Sequence, residues 1–401
     1  MSMPLEGIKV VEMTAYVVGP AAAMILSDFG AEVVKVEPPD GDPNRRVMES
    51  GIVPPADFNY LFEFFNRNKK SIATDAKTEK GKEIIYKLVK RADVFVTNYR
   101  PAATQRLSID YDTLSQINPR LVYAQITGYG SKGPGKDWPA FDETAFWARS
   151  GIMGILGEPG TPAPPVHGAL GDLTTSLGVF GGIMLALYHR ERTGKGQKID
   201  SSLLGTGVWV VGWDLQRTLY NGENVPRQSR KNETNPLHNT YQTKDGRWVH
   251  FSMAEADRYW SLLCKALDRE DLLNDPRFDT HEKRCQNNEL LISVLDEIMA
   301  TKTLSEVKDH FYQEGLLWAP AQTTVEVAND PQVVENEFTT EYDHPSKGRF
   351  RSIDSPIRLS ECPHKVRRAA PQLGQDTEKI LLELGYEQAQ IQELKKQKVV
   401  F

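Results

Sequence analysis

The sequence predicts an α/β fold: an open, doubly wound and mostly parallel sheet, accompanied by a smaller α+β domain. Two observations carry this prediction. Short β-branched runs alternate with helical segments through the first half of the chain, and the alternation stops after the helix that begins near Asp172. A strong hairpin signal with Asp245-Gly246 at its turn then appears in the second half.

The first elements form a βαβ unit: residues 8–13 are a strand, 21–28 a helix opened by Gly19-Pro20, and 32–37 the next strand. A unit of this length implies a right-handed crossover and parallel pairing. The same alternation continues through further elements. These are a strand at 71–75, a helix at 79–91, and strands at 93–98 and 121–127.

Later elements follow a different pattern. Residues 194–200 predict a turn and a strand, and residues 201–220 predict one long helix. The hairpin at 241–252 and helices at 257–267, 287–301 and 305–314 suggest a separate block. We therefore predict a large domain over 1–224, a small α+β domain over 225–325, and a return linker with the rest of the large domain over 326–401.

Composition narrows the class of protein. With 401 residues, 40% hydrophobic and 25% charged, the chain is typical of a soluble globular protein. A net charge of -6 argues against nucleic-acid binding, and three widely spaced cysteines argue against a disulfide framework or a cysteine zinc site. The apolar run at 177–188 is shorter than the roughly 20 residues that span a bilayer. With no signal-like segment before the first strand, these features predict a cytoplasmic protein that does not enter a membrane.

The first turn does not suit a dinucleotide. Residues 14–20 contain a single glycine, and Pro20 removes one amide that would hold a pyrophosphate. A Rossmann-type oxidoreductase is therefore disfavoured. Walker, His-Glu-x-x-His and Gly-x-Ser-x-Gly sequences are also absent from the sequence.

Asp172 lies between a small-residue loop and an apolar helix, with His167 nearby. Its spacing favours a role as the helix N-cap, and a capping carboxylate held ionised by the helix dipole is also a weak nucleophile. Basic residues follow or abut the predicted strands at Arg45-Arg46, 67–70, Lys77, Arg100 and Arg106. They predict either one site for a phosphorylated ligand or an ordinary solvated surface.

Several segments, in order along nearly the whole chain, resemble the family III CoA-transferases, the group of formyl-CoA:oxalate and carnitine CoA-transferases. They include PLEGIKVVE at 4–12, GAEVVKVEP at 30–38, NKKSI at 68–72, ATQRL at 103–107, NPRLVY at 118–123, ITGYG at 126–130, Gly171-Asp172, TGKGQK at 193–198, DGRW at 245–248 and LGQDT at 373–377.

The resemblance implies that Asp172 is a covalent nucleophile that carries CoA from an acyl-CoA donor to a free acid through anhydride and aspartyl-CoA intermediates. It implies no metal and no permanently bound cofactor, since acyl-CoA and a carboxylic acid are the substrates. It further implies CoA contacts from Arg106, Lys77, Arg46 and Pro38. The implied acid pocket comprises Val17, Tyr60, Phe141, Phe146 and Gly171, and the implied assembly is a homodimer of interlocked subunits.

Departures from the formyl-CoA enzyme indicate a different acid. Val17 replaces a glutamine, Phe141 replaces a tyrosine, and residues 228–236 contain no glycine run. Segments 141–149 and 235–241 look closest to the 2-hydroxyacid branch, which acts on phenyllactate or 2-hydroxyisocaproate in amino-acid fermentation. Two alternatives stay open: an α-methylacyl-CoA racemase, although residues 140–144 lack its histidine, and a CoA-binding protein without catalysis.

Overall fold

A computed structural model describes residues 3–164, 166, 168–362 and 364–401. The chain forms two compact units. The larger unit comprises Met1–Met153, Pro165–Gly222 and Glu335–Phe401, and the smaller unit comprises Gly154–Pro164 and Glu223–Val334.

The larger unit is built on a six-stranded sheet in the order β3-β2-β1-β4-β5-β6. Each neighbouring pair is parallel, so the predicted doubly wound α/β class is confirmed. The strand order reverses between β1 and β4, and open α/β sheets bind ligands beyond the carboxyl ends of the strands at such a point. The strands are β1 Lys9–Met13, β2 Glu32–Glu37, β3 Lys70–Ala73, β4 Val94–Thr97, β5 Val122–Thr127 and β6 Gln197–Ser202.

Helices connect these strands and cover the sheet. The long helix predicted at 201–220 is wrong, because the backbone leaves helical geometry at Val211 and divides the segment into α8 and α9. Before α6 a π-helical segment covers Glu143–Ala148, and a 3₁₀ segment follows β2 at Pro43–Glu49. The helices are α1 Val18–Asp28, α2 Tyr60–Asn66, α3 Glu79–Arg91, α4 Pro101–Leu107, α5 Tyr111–Ile117, α6 Ile152–Ile155, α7 Leu170–Thr193, α8 Leu203–Val210 and α9 Gly212–Asn221.

The smaller unit contains the predicted hairpin, in which β7 and β8 pair antiparallel and Gly246 takes a positive φ of 75° at the turn. A third strand, β9, pairs with β8, and helices pack around apolar residues that include Phe251, Leu263 and Phe311. Its elements are β7 Thr240–Gln242, β8 Trp248–Phe251, β9 Trp318–Pro320, α10 Ala256–Ala266, α11 His281–Gln286, α12 Asn288–Met299, α13 Leu304–Gln313, α14 Thr324–Asn329 and α15 Pro331–Glu335.

The chain then returns to the larger unit. β10 Thr339–His344 and β11 Gly348–Ile353 form a hairpin, and α16 Thr377–Glu383 and α17 Gln388–Lys396 follow. The Ser71 amide donates to Asp376 Oδ2 at 3.0 Å, and the Asp376 amide donates to the Ser71 carbonyl at 2.9 Å. The returning segment is thereby fixed to β3, at the edge of the sheet.

Helix α7 extends the apolar run predicted at 177–188 to 24 residues. Within the described part of the chain it is the one helix that reaches the length and apolarity of a membrane span. It contacts α1, β5 and β6, and buries residues such as Val179, Ile183 and Leu187 on that face. These contacts pack one face of α7 against the larger unit, while 39% of its apolar stretch is buried in all.

Candidate active site

A cavity of about 410 Å³ lies in the larger unit beyond the carboxyl ends of β1, β4 and β5. Its volume is within the ~300–1,000 Å³ typical of small-molecule sites. Because β1 and β4 flank the reversal of strand order, the cavity occupies the position expected for a ligand. Its lining residues are 15–18, 98–100, Ala103, 126–128, 139–141, Asp172 and Leu203.

Asp172 is the one carboxylate among these lining residues. It lies in the first turn of α7, whose N-cap is Ala169 at a left-handed φ of 61° with no side-chain cap. The predicted N-cap role is therefore wrong, because the helix begins two residues before the aspartate. His167, which the sequence placed nearby, lies outside the described residues.

The ionisation of Asp172 also differs from the expectation. Burial, followed by the neighbouring carboxyl groups of Asp142 and Glu143, raises its pKa to about 7. A helix N-terminus favours a negative charge, but loss of water and like charges outweigh this effect here. A half-buried aspartate on a cavity wall whose pKa is raised to about 7 is a candidate functional residue, because perturbed pKa values cluster at functional sites.

A tight turn after β1 forms the opposite side of the cavity. Tyr16 has a left-handed φ of 63°, an unfavourable conformation for an aromatic residue. Asn98, which follows β4, accepts from the Ala15 amide at 2.9 Å and donates to the Ala15 carbonyl at 2.7 Å. Asp42 accepts from the Tyr16 amide at 3.0 Å, so the turn is fixed from two sides.

A cluster of buried charged residues holds Asp42, which in turn bonds to the turn after β1. Lys35 contacts Asp42 and Glu12 at 2.8 Å each, and Lys69 contacts Glu12 at 2.7 Å. Burial opposes the ionisation of Glu12, yet the two ammonium groups keep its pKa below the usual value. Burial lowers the pKa of Lys69 to about 8 despite the attraction of Glu12. Fully paired charges of this kind hold Asp42 in a defined position, because breaking one pair would leave a buried charge alone.

Apolar side chains cover one wall. Val17 and Phe141 line the cavity, and the rings of Tyr16 and Phe141 meet edge to face at 5.2 Å. Phe146 is buried against Gly171, where a Cβ atom would lie 2.2 Å from its ring. The structure thus brings Val17, Phe141, Phe146 and Gly171 of the predicted acid pocket near Asp172, whereas Tyr60 begins α2 and does not line the cavity.

The four predicted CoA contacts lie outside the cavity lining. Pro38 follows β2, Arg46 lies in the 3₁₀ segment with Nη1 2.6 Å from the Asp40 carbonyl, Lys77 follows β3, and Arg106 is in the last turn of α4. All four come after the carboxyl end of a strand in the chain, although Arg106 is separated from β4 by most of α4. Arg100 does line the cavity.

Sequence reasoning missed three side chains of this site: Tyr16, Asn98 and Asp142. Asn98 directly follows β4 and Tyr16 lies three residues after β1, on either side of the reversal, and this signal is available once the strand order is assumed. Asp142 is buried next to Phe141 and close to Phe146 and Trp147, and a buried acid there needs a specific partner.

A second cavity, of about 320 Å³, lies at the other end of the strands, lined by Lys9, Glu32 and residues of α3 and α16. It borders the amino ends of β1 and β2. Ligands of open α/β sheets gather at the carboxyl ends, so the cavity at Asp172 is the better candidate for chemistry.

Known proteins resemble the chain over its full length. A profile described as CoA-transferase family III matches residues 5–377. The (R)-2-hydroxy-4-methylpentanoate CoA-transferase of Clostridioides difficile is 35% identical over 400 residues, covering 99% of this chain and 100% of that protein. The cinnamoyl-CoA:phenyllactate CoA-transferase of Clostridium sporogenes is 35% identical over 396 residues, covering 98% and 96%. A crystal structure of a CAIB/BAIF family protein from Brucella suis superposes with a TM-score of 0.84 at 30% identity, covering 96% and 100%.

Proposed function

The chain belongs to CoA-transferase family III, and from this premise we propose that it moves CoA from an acyl-CoA donor to a free carboxylic acid by way of a covalent intermediate on Asp172. The position of the Asp172 carboxylate carries the proposal. It is the carboxylate on the wall of the cavity at the reversal of strand order, among the residues described there.

The proposed reaction needs four acyl-transfer steps. An oxygen of Asp172 attacks the donor thioester, the carbon–sulfur bond breaks, and a mixed anhydride and CoA thiolate result. The thiolate attacks the aspartyl carbonyl and releases the donor acid, leaving aspartyl-CoA. The acceptor carboxylate attacks this thioester to form a second anhydride and thiolate, and the thiolate then takes the acceptor acyl group and frees Asp172.

The surroundings of Asp172 suit this chemistry. A carboxyl group with a pKa of about 7 is basic enough to be a better nucleophile than an ordinary aspartate, while a large fraction is ionised at neutral pH. Each attack develops an oxyanion, which preorganised backbone amides stabilise. We propose the amides of the Ala15–Val18 turn and of Gly168–Gly171 as donors, because both segments adjoin Asp172 and the turn after β1 is fixed by Asn98 and Asp42.

For the acid, we propose an apolar or aromatic 2-hydroxy acid. Val17, Phe141, Ile126 and Leu203 give the cavity an apolar wall that suits a branched or aromatic chain. The names of the two relatives, which specify 2-hydroxy-4-methylpentanoate and phenyllactate, support the same class. Arg100, on the cavity lining, is the candidate cation for the acid's carboxylate.

For CoA, we propose that Arg106, Lys77 and Arg46 contact the phosphates and that Pro38 adjoins the adenosine. Their places in the segments that follow β2, β3 and β4 support this proposal, since ligands of open α/β sheets bind beyond the carboxyl ends of the strands. Arg106→Ala should raise the KM for acyl-CoA about tenfold or more with little change in kcat, since a phosphate contact contributes mainly to binding. Arg91→Ala, at the end of α3, is the control and should leave KM unchanged.

We further propose a homodimer. Helices α8 and α9 expose large apolar side chains, with Trp209 at 85%, Trp213 at 92% and Tyr220 at 88%, and we call this the α8–α9 surface. Apolar exposure on this scale marks an interface, and a second copy is the occupant consistent with the family. Trp209→Ser with Trp213→Ser should yield monomers in light scattering. Val325→Ser, which removes an exposed apolar side chain of the smaller unit, should not.

We also propose a cytoplasmic location. Cys264, Cys285 and Cys362 are all free thiols. Thiols stay reduced in the cytosol and oxidise in secretory compartments. Cell fractionation with a cytosolic marker enzyme as the reference would test this, and the protein is expected in the same fraction as the marker.

The deciding experiment is mass spectrometry after the protein is incubated with an acyl-CoA and hydroxylamine. The expected product is a hydroxamate on Asp172 that forms only when acyl-CoA is present, since hydroxylamine traps an activated carboxyl group. Asp172→Asn is the matched control and should lose both the adduct and turnover. A hydroxamate on another residue, or transfer activity retained by the Asn variant, would overturn the mechanism. Deuterium uptake at the α-carbon in heavy water would instead favour the racemase.

A further inference from the structure

Asp142 is a buried acid outside the proposed four-step reaction, and it lies against the turn that carries the nucleophile. Its side chain is 4% exposed. Trp147 Nε1 donates to its Oδ2 at 3.2 Å. Its other oxygen, Oδ1, has no hydrogen bond of good geometry within the described residues, although the amides of Gly171 and Asp172 face this carboxyl group and oppose the rise in its pKa.

The contact with Gly171 is unusually close. A Cβ atom on Gly171 would lie 2.1 Å from Asp142 Oδ1, so this oxygen fills the space that any other residue would use. The carboxyl group therefore rests directly on the first turn of α7, one residue before Asp172. A glycine at 171 is required for this approach, since contacts below 3.0 Å are not tolerated by real Cβ atoms.

Two carboxyl groups in one partly dry site act on each other. Burial raises the pKa of Asp142, with Glu143 adding to the effect. For Asp172 the order of causes is burial, Asp142 and then Glu143, so Asp142 is the strongest single charged neighbour. Like charges that share a site cannot both ionise easily.

We propose that Asp142 is a positioning residue for the CoA-transfer reaction, which holds the Gly171–Asp172 turn in place and acts electrostatically on the Asp172 carboxyl group. This inference rests on the proposed function. Its consequence is a nucleophile that is more basic than an ordinary aspartate, and therefore more reactive toward a thioester once ionised. The indole of Trp147 fixes the orientation of Asp142 and so belongs to the same arrangement.

Few other titratable groups lie around Asp172 among the described residues. Tyr16 faces the cavity from the turn after β1, and Tyr99 and Arg100 face it from the segment after β4. Glu143 lies beside Asp142 in the π-helical segment. Of the helices packed on α7, α8 has no titratable side chain and α1 has only Asp28, its last residue. Of the strands that contact α7, β6 carries Lys198 and Asp200, which pair with each other at 3.0 Å, and β5 carries the buried Tyr123. Asp142 is thus the buried charge whose removal should matter most.

The test is the pH dependence of kcat/KM for acyl-CoA in Asp142→Asn. Its acid limb should move to lower pH by about one unit, because the neighbouring negative charge is gone. Glu143→Gln removes a carboxylate from the next residue and serves as the matched control, with a smaller shift expected. Asp142→Ser is a second neutral variant in case the Asn protein does not fold, and the same shift is expected.

An acid limb that stays at the wild-type pH in Asp142→Asn or Asp142→Ser would overturn the inference, even if kcat fell, because a purely structural role does not set the pH dependence. A Glu143→Gln shift as large as that of Asp142→Asn would overturn it as well. Both results leave the proposed function standing. That function fails separately, if Asp172→Asn retains transfer activity.

Discussion

Gly171→Ala is the substitution for which the structure gives the sharpest expectation. The added Cβ atom would lie 2.1 Å from Asp142 Oδ1 and 2.2 Å from Phe146 Cγ, where ordinary contacts begin near 3.4 Å. Both neighbours are buried, so either they or the first turn of α7 must move by more than about 1 Å. The turn carries Asp172, and the nucleophile should be displaced with it.

The expected magnitudes follow from this overlap. Overpacking of this kind costs about 1–3 kcal/mol of unfolding free energy, partly offset by the better helix propensity of alanine. A displacement of about 1 Å at a reacting group lowers the rate on the order of 100-fold. Urea denaturation measures the first effect, and chromatographic analysis of CoA-thioester exchange measures kcat/KM for the second.

Gly178→Ala in the same helix is the matched control, because a Cβ atom there meets nothing within 4 Å. It should be neutral or stabilising by up to about 1 kcal/mol, with unchanged kcat/KM. If Gly171→Ala behaves like Gly178→Ala in both assays, the close packing of Asp142 and Phe146 is not what holds Asp172, and the reasoning is refuted.

Three further expectations concern ionisation and the turn after β1. The wild-type profile of kcat/KM should lose activity as the pH falls through about 7, since protonated Asp172 cannot attack; a midpoint at the ordinary aspartate value would contradict this. Asp172→Asn should raise the free energy of unfolding by up to about 4 kcal/mol at about pH 8, because a pKa raised from 3.8 to about 7 corresponds to about 1.4 kcal/mol per unit, and by much less near pH 4. The pKa of Asp172 is higher in the folded than in the unfolded state, so its ionisation destabilises the folded protein increasingly as the pH rises from about 4 toward 7. Urea titrations in which the variant gains the same free energy of unfolding at pH 4 and pH 8 would contradict this expectation. Asn98→Ala removes the partner of the Ala15 amide and carbonyl, which should lower the free energy of unfolding by about 1–3 kcal/mol and lower kcat/KM. An unchanged midpoint in thermal unfolding would show that Asn98 does not hold the turn after β1.

The regular elements of the large unit were predictable, because β-branched runs and amphipathic segments are local features. The strand at 32–37 and the helix at 79–91 coincide with β2 and α3. The helix at 201–220 was not predicted correctly, since the apolar pattern continues through Val211 while the backbone does not. Strand order depends on contacts between distant stretches and cannot be obtained from local periodicity.

The site divides in the same way. Asp172 is the candidate residue that the sequence singles out, and the structure places it on the cavity wall. Its predicted role as the N-cap is wrong, because the helix starts at Leu170. Its pKa is raised by burial first and then by Asp142, which is 30 residues away in sequence, and both effects arise only from tertiary packing. The turn at Tyr16 needs Asp42 and Asn98 from two other connections. The CoA contacts of Arg46, Lys77 and Arg106 stay predictions.

The attachment of the returning segment to β3 also has a consequence for how the protein folds. Ser71 and Asp376 are 305 residues apart, and closing a flexible loop of that length costs about 5 kcal/mol of chain entropy. Contacts at such separation form slowly, so the β3 edge should be the last part of the sheet to gain protection from hydrogen exchange during refolding. Until it is covered, this edge offers unpaired backbone groups to other chains, and aggregation during refolding should be most severe in that interval.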